Sequence, residues 1–196
     1  MRLKKEKKEN KNSRRARVGE YSFRRKYTPV QIIIDIASLA ALVYIGYIIY
    51  ICKLDIEKIK QLNRTEADMS MFVWEPLLIW AGVGVLIFAA SFFLIFRKKK
   101  KPGKYLVTKN NVVRYCNIID TCIAGVRLVL IISLWEACYL HMSVILMRQI
   151  TFSPQLLLDA AIIVGILVIT RMRLRGMSDE EEGSASSEKK KEIVQD

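Results

Sequence analysis

The sequence predicts an all-α membrane protein, a four-transmembrane-helix bundle with both termini on the cytoplasmic side. Three observations predict it. Hydrophobic residues make up 52% of the chain and are gathered into long blocks. Charges are packed into dense clusters between those blocks, which is the distribution a bilayer imposes and a soluble core does not. The strongly basic clusters fall at every second crossing, so the positive-inside rule places them together on one face. The mean hydropathy of +0.20 agrees with this but would not decide it.

Residues 1–29 hold twelve Lys and Arg against three acids. A segment this charged buries too little apolar area to fold alone, so a disordered basic cytoplasmic tail is expected. Tyr21, Phe23 and Tyr27 near its end suit an interfacial anchor. The first span is read at about 30–52, whose 23 positions reach about 34 Å as a helix, enough for a hydrocarbon layer of about 30 Å. Its charge is Asp35, and Tyr44, Tyr47 and Tyr50 follow at helical spacing toward the far end.

Residues 53–73 balance their charges and connect to the second span. They contain an Asn63-Arg64-Thr65 glycosylation triplet and a Thr65/Asp68 pair that resembles a helix cap. The second span, at about 76–96, opens with Pro76, tolerated where the first-turn N–H has no helical partner. Trp74 and Trp80 fit the interfacial belt, and Gly82 and Gly84 are too close together to form a GxxxG face. Residues 97–116 then carry eight Lys and Arg and no acid. Within them, Lys109-Asn110-Asn111 fits either a small hairpin or a lead into the next helix.

The third span, at about 118–140, carries Asp120, Arg127 and Glu136, with His141 just beyond. The fourth, at about 154–170, has 17 residues, the short limit for a crossing, and includes Asp159. Arg171, Arg173 and Arg175 follow it. If that span failed to cross, these arginines would lie outside, against the rule. The last segment, 171–196, turns acidic and Ser-rich and is expected to be a disordered cytoplasmic tail. The third span opens with Asn117-Ile118-Ile119-Asp120, much as the first opens with Gln31-Ile32-Ile33-Ile34-Asp35, a match that fits a duplicated hairpin.

Charges inside a span demand an explanation, because each costs about 2.5–3.5 kcal/mol on insertion scales unless it is paired or hydrated. The intramembrane polar candidates are Asp35, Asp120, Arg127, Glu136 and Asp159. Arg127 lies about 14 Å into the third span, counted from Ile118, with Asp120 on nearly the same face. It can reach back to Asp35 or Asp120. Glu136 points almost opposite. A helix with polar groups on two sides cannot turn both to lipid, so the third span is expected to pack centrally, in the bundle or in an oligomer. Glu136 and Asp159 are expected in the outer half.

The four cysteines, Cys52, Cys116, Cys122 and Cys138, form no CxxC pair, and the single histidine gives no metal-ligand spacing. A Cys52–Cys138 disulfide is compatible with the topology, but buried thiols fit better, and Cys116 is a candidate for palmitoylation. No catalytic or phosphate-binding motif is present, so no enzyme, cofactor or metal is expected. The +13 net charge sits beside the spans, which favours anionic lipid headgroups over nucleic acid. The functional expectation is a multi-pass protein of the cell membrane. It would act as a subunit, scaffold or regulator through helix association, with a homo-oligomer or another protein as partner. The alternative is a small oligomeric transporter or channel using the intramembrane charges.

Overall fold

The fold is that of a computed structural model, which describes residues 15–18, 21–24, 27–62, 74–97, 99–100, 104–105, 107–146 and 155–193. Four helices dominate it: α1 (Pro29–Leu62), α2 (Leu78–Phe96), α3 (Val112–Ile145) and α4 (Gln155–Ile193). A 3-10 turn at Glu75–Leu77 leads into α2. Three of these segments are long and apolar enough to cross a membrane: Pro29–Ile59, Glu75–Phe96 and Val112–Ile145. Among the described residues, α4 is not one of these segments.

α1 starts where its sequence builds a reciprocal cap. The Thr28 backbone N–H donates to Gln31 Oε1 at 3.0 Å, and the Gln31 N–H donates to Thr28 Oγ1 at 3.3 Å. Pro29 fills the first helical position, whose N–H needs no partner. Thr108 and Asn111 exchange the same kind of bonds ahead of α3, at 2.8 and 3.4 Å. Of the two readings of that segment, the lead into a helix is the one observed.

The helices run up and down in turn, and α3 packs against all the others. α1 lies parallel to it: Gln31 Nε2 donates to the Asn117 carbonyl at 3.5 Å and to Thr121 Oγ1 at 3.3 Å, while Tyr44 meets Trp135 edge-on at 5.2 Å. α2 lies antiparallel, with Trp80 beside His141 at one end and Ser91 beside Arg127 at the other. The α4 contacts on α3 run from Ser133–Asp159 to Arg114–Glu180. Glycine at position 84 lets α2 approach α1 closely, since a Cβ there would stand 2.7 Å from Leu42 Cδ2.

Burial is inverted relative to a water-soluble bundle. Gln31, Ser38, Ser91, Asp120, Arg127 and Asp159 are buried, whereas Ile33, Val43, Leu86, Phe93, Leu157 and Val164 are exposed. An aqueous protein does not turn contiguous aliphatic faces outward while hiding its charges, and a bilayer rewards that arrangement. The central position expected of the third span, within the bundle, is the one found.

Two expectations are corrected at the tails. Part of the segment expected to be disordered forms strands β1 (Arg15–Val18) and β2 (Tyr21–Arg24), paired antiparallel; β1 also pairs in parallel with β3 (Lys99–Lys100). The pairing is possible because Val18, 1% exposed, docks on an apolar cluster of Val112, Tyr115, Cys116, Leu174 and Met177, supplying a core that the segment lacks by itself. α4 likewise continues beyond residue 170, through the segment read as a disordered tail, to Ile193. Leu174 and Met177 are buried against α3, and Glu180 pairs with Arg114, so tertiary contact holds the added turns as far as Glu180. The Asn63 triplet, the Thr65/Asp68 pattern and the loop before α4 lie outside the described residues.

Candidate functional site

The site is built around Arg127, on the face of α3 that meets α1 and α2. Its side chain is wholly buried and forms an ion pair with Asp35 of α1 through Nη2 and Oδ1. The other carboxylate oxygen, Oδ2, accepts a hydrogen bond from the Tyr27 hydroxyl. Asp35 is therefore held on both sides, once by a cation and once by a neutral donor.

α2 closes the site with aromatic rings. Phe88, Phe92 and Phe96 recur every fourth residue, which puts them on one helical face. Neighbouring rings stack at 5.0 and 5.5 Å, and Tyr27 continues the ladder at 6.0 Å from Phe96. The guanidinium carbon lies 4.8 Å from the centre of Phe88 and 5.3 Å from that of Phe92. A desolvated cation over such faces gains about 2 kcal/mol or more. Ser91, one turn between them, accepts from Arg127 Nη1 at 3.4 Å. Nε of Arg127 is buried without a hydrogen-bond partner, as is Trp135 Nε1.

Asp120, 2% exposed, lies in the same layer. Burial, the bond to Asp35, and the charges of Asp35 and Asp120 push the Tyr27 phenol up to about 12, with Arg127 opposing. Tyr27 thus stays protonated at any physiological pH and acts as a donor, not as a proton carrier.

Three further polar contacts stand at the opposite end of the bundle. Asp159, buried, accepts from Ser133 Oγ at 2.6 Å. Glu136 is joined to Gln155 by a side-chain hydrogen bond and lies near Asp159. His141 Nδ1 accepts from Trp80 Nε1 at 3.1 Å. The structure therefore splits the five sequence candidates: Asp35, Asp120 and Arg127 come together near one end, and Glu136 and Asp159 near the other. Arg127 pairs with Asp35, one of its two sequence-allowed partners.

Cys52 and Cys138 are not joined by a disulfide and lie inside the apolar core formed by α1, α2 and α3, and Cys116 is 1% exposed, which removes it as an accessible acylation site. Among the described residues, no three His, Cys, Asp or Glu side chains come together as metal ligands. Sequence reasoning missed Tyr27, Gln31, Ser91 and the phenylalanine ladder as site residues. Their signals were present: the i, i+4, i+8 spacing of the phenylalanines, a lone hydroxyl in α2, and a Thr-x-x-Gln cap. No family model matches the chain, and neither the curated proteins nor the solved structures contain a match.

Proposed function

We propose that the chain is a four-span protein of the cell membrane, with both termini cytoplasmic, that works without catalysis as a subunit, scaffold or regulator. It acts through helix association and contacts with anionic lipid. One observation carries the reading: the intramembrane polar groups are engaged with one another inside the chain. Arg127 holds Asp35, Ser133 holds Asp159, Gln155 holds Glu136 and Trp80 holds His141. Each link joins two helices, so the polar interior sets the register of the bundle, as paired polar groups in hydrocarbon do.

The fourth crossing is supported by the way α4 lies along α3. Nineteen residues of α3 separate Ser133 from Arg114, about 28 Å of helix, and α4 keeps contact over that distance. Its outward residues there, from Leu157 to Met172, are largely exposed and apolar. A helix that accompanies a spanning neighbour over the depth of a bilayer, with an apolar outward face, is what a fourth crossing requires. The N-in, C-in orientation is supported by the pairing of β1 with β3, which brings the basic N-terminal segment and the basic α2–α3 link to one end.

Epitope tags at both termini test the topology: both are expected to be accessible only after permeabilisation, and an externally accessible C-terminal tag would remove the fourth crossing. The proximity of Glu136 and Asp159 favours the second reading, an oligomeric transporter or channel. In liposomes the protein is expected to leave proton and potassium gradients intact. A flux that disappears in Glu136→Gln or Asp159→Asn would replace the first reading with the second.

A further inference from the structure

The bundle is not closed at its basic end. α1 and α4 both pack on α3, and between them lies a groove of about 990 Å³. That volume is at the upper end of small-molecule sites, which run about 300–1,000 Å³. On α3 its lining extends from Val113 to Gly125, about 18 Å of helix, and Asn110 in the turn ahead of α3 continues it outward. One leaflet, half of a bilayer about 40–45 Å thick with its headgroups, has the same depth.

The lining is graded along that depth. The mouth is polar, with Asn110 from the turn before α3, Arg114 and Asn117 from α3, and Arg173 and Glu180 from α4. The floor is apolar, with Ile34, Ile118, Gly125, Ile166 and Ile169. Glu180 answers the charge of Arg114 at 2.7 Å. Among the described residues Arg173 has no carboxylate partner, so there it is the cation of the mouth left for a ligand to answer. A water-filled cleft would not carry this aliphatic floor, and an apolar helix or an uncharged lipid would leave the arginine without a counter-charge.

We propose that this groove binds one anionic glycerophospholipid, its phosphate at Arg173, Asn110 and Asn117 and an acyl chain along Ile118, Ile166 and Ile169. The proposal rests on the four-span, basic-end-inside reading, which puts the groove in the cytoplasmic leaflet, where anionic lipid is enriched. It goes beyond general attraction to basic flanks, because the site has a shape, a depth and a defined cation. Cys122 lines the groove and is half-exposed, whereas Cys52, Cys116 and Cys138 are buried, so the chain carries its own reporter.

The test uses the full-length protein in mild detergent, titrated with phosphatidylglycerol, phosphatidylcholine of the same chains, or inorganic phosphate. Native mass spectrometry reads the bound lipid, and the rate of Cys122 alkylation reads occupancy. One phosphatidylglycerol is expected to be retained in preference to phosphatidylcholine and to slow Cys122 alkylation. Arg173→Gln, at an exposed position, is expected to weaken retention about fivefold without changing the unfolding midpoint. Ile166→Trp, which fills the floor, is expected to abolish it. Unchanged retention in both variants would overturn the site, as would equal retention of the two lipids. Protection of Cys122 by phosphate alone would overturn the lipid assignment. Terminal tags on the same protein separate the two failures: cytoplasmic tags with no lipid effect reject the groove alone, and an external C-terminus rejects the underlying topology.

Discussion

Replacing Asp35 by Asn removes the counter-ion of a guanidinium whose side chain is 0% exposed, against 17% for Asp35 itself. Breaking a buried pair from one side costs about 3–5 kcal/mol, because the remaining charge keeps its desolvation penalty. Here the low end applies to Asp35→Asn, about 3 kcal/mol: Ser91, Phe88 and Phe92 still face Arg127, and the amide oxygen still accepts. Arg127→Leu leaves a carboxylate that is partly exposed, bonded to Tyr27 and close to the membrane surface, so about 2 kcal/mol is expected. The double variant carries no charge in this pair and is expected to lose about 2 kcal/mol, well short of the sum. The assay is unfolding in mixed micelles of rising SDS mole fraction, run as a double-mutant cycle with Gly82→Ala, at a position with nothing within 4 Å, as the remote control. Costs that add to within about 0.5 kcal/mol would refute the coupling and the register-setting role with it.

Two other predictions follow from geometry alone. Gly84→Val is expected to cost about 1–3 kcal/mol in the same assay, because its Cβ already meets Leu42 at 2.7 Å, while Gly82→Val, with nothing within 4 Å, should leave packing intact. The Tyr27 phenol, raised from 10.0 to about 12, binds its proton more tightly in the fold than in the unfolded chain. Its contribution is therefore complete below pH 10 and is lost as pH climbs toward 12. Phenolate absorbance should show a late-titrating component that is lost in Tyr27→Phe; an unchanged titration would remove the Tyr27–Asp35 bond.

Much of the membrane domain was legible because bilayer thickness and flanking charge constrain it so strongly. The first two spans follow from length and from the Lys and Arg that end them. The central place of α3 follows from Arg127 and Glu136 pointing to opposite sides, since no single helix face can serve both. The choice of Asp35 over Asp120 was not legible, because both acids lie within reach of a flexible arginine and only helix rotation decides. The tails were misread for a related reason. Residues 15–24 have no internal core, and their order depends on Val18 meeting α3 and α4, contacts that no local pattern encodes. The same contacts extend α4 through a stretch whose composition reads as solvated coil.

The position of Arg127 on the third helix has a consequence for how the chain is made. Synthesis proceeds from the N-terminus, so α1 and α2 are in the membrane before α3 emerges. Asp35, Tyr27 and the phenylalanine ladder are then already in place when the guanidinium arrives. The residue costliest to insert thus enters last among its partners, into a seat assembled ahead of it. A chain with α3 first would present the same arginine to bare lipid, although its finished fold would contain the same contacts.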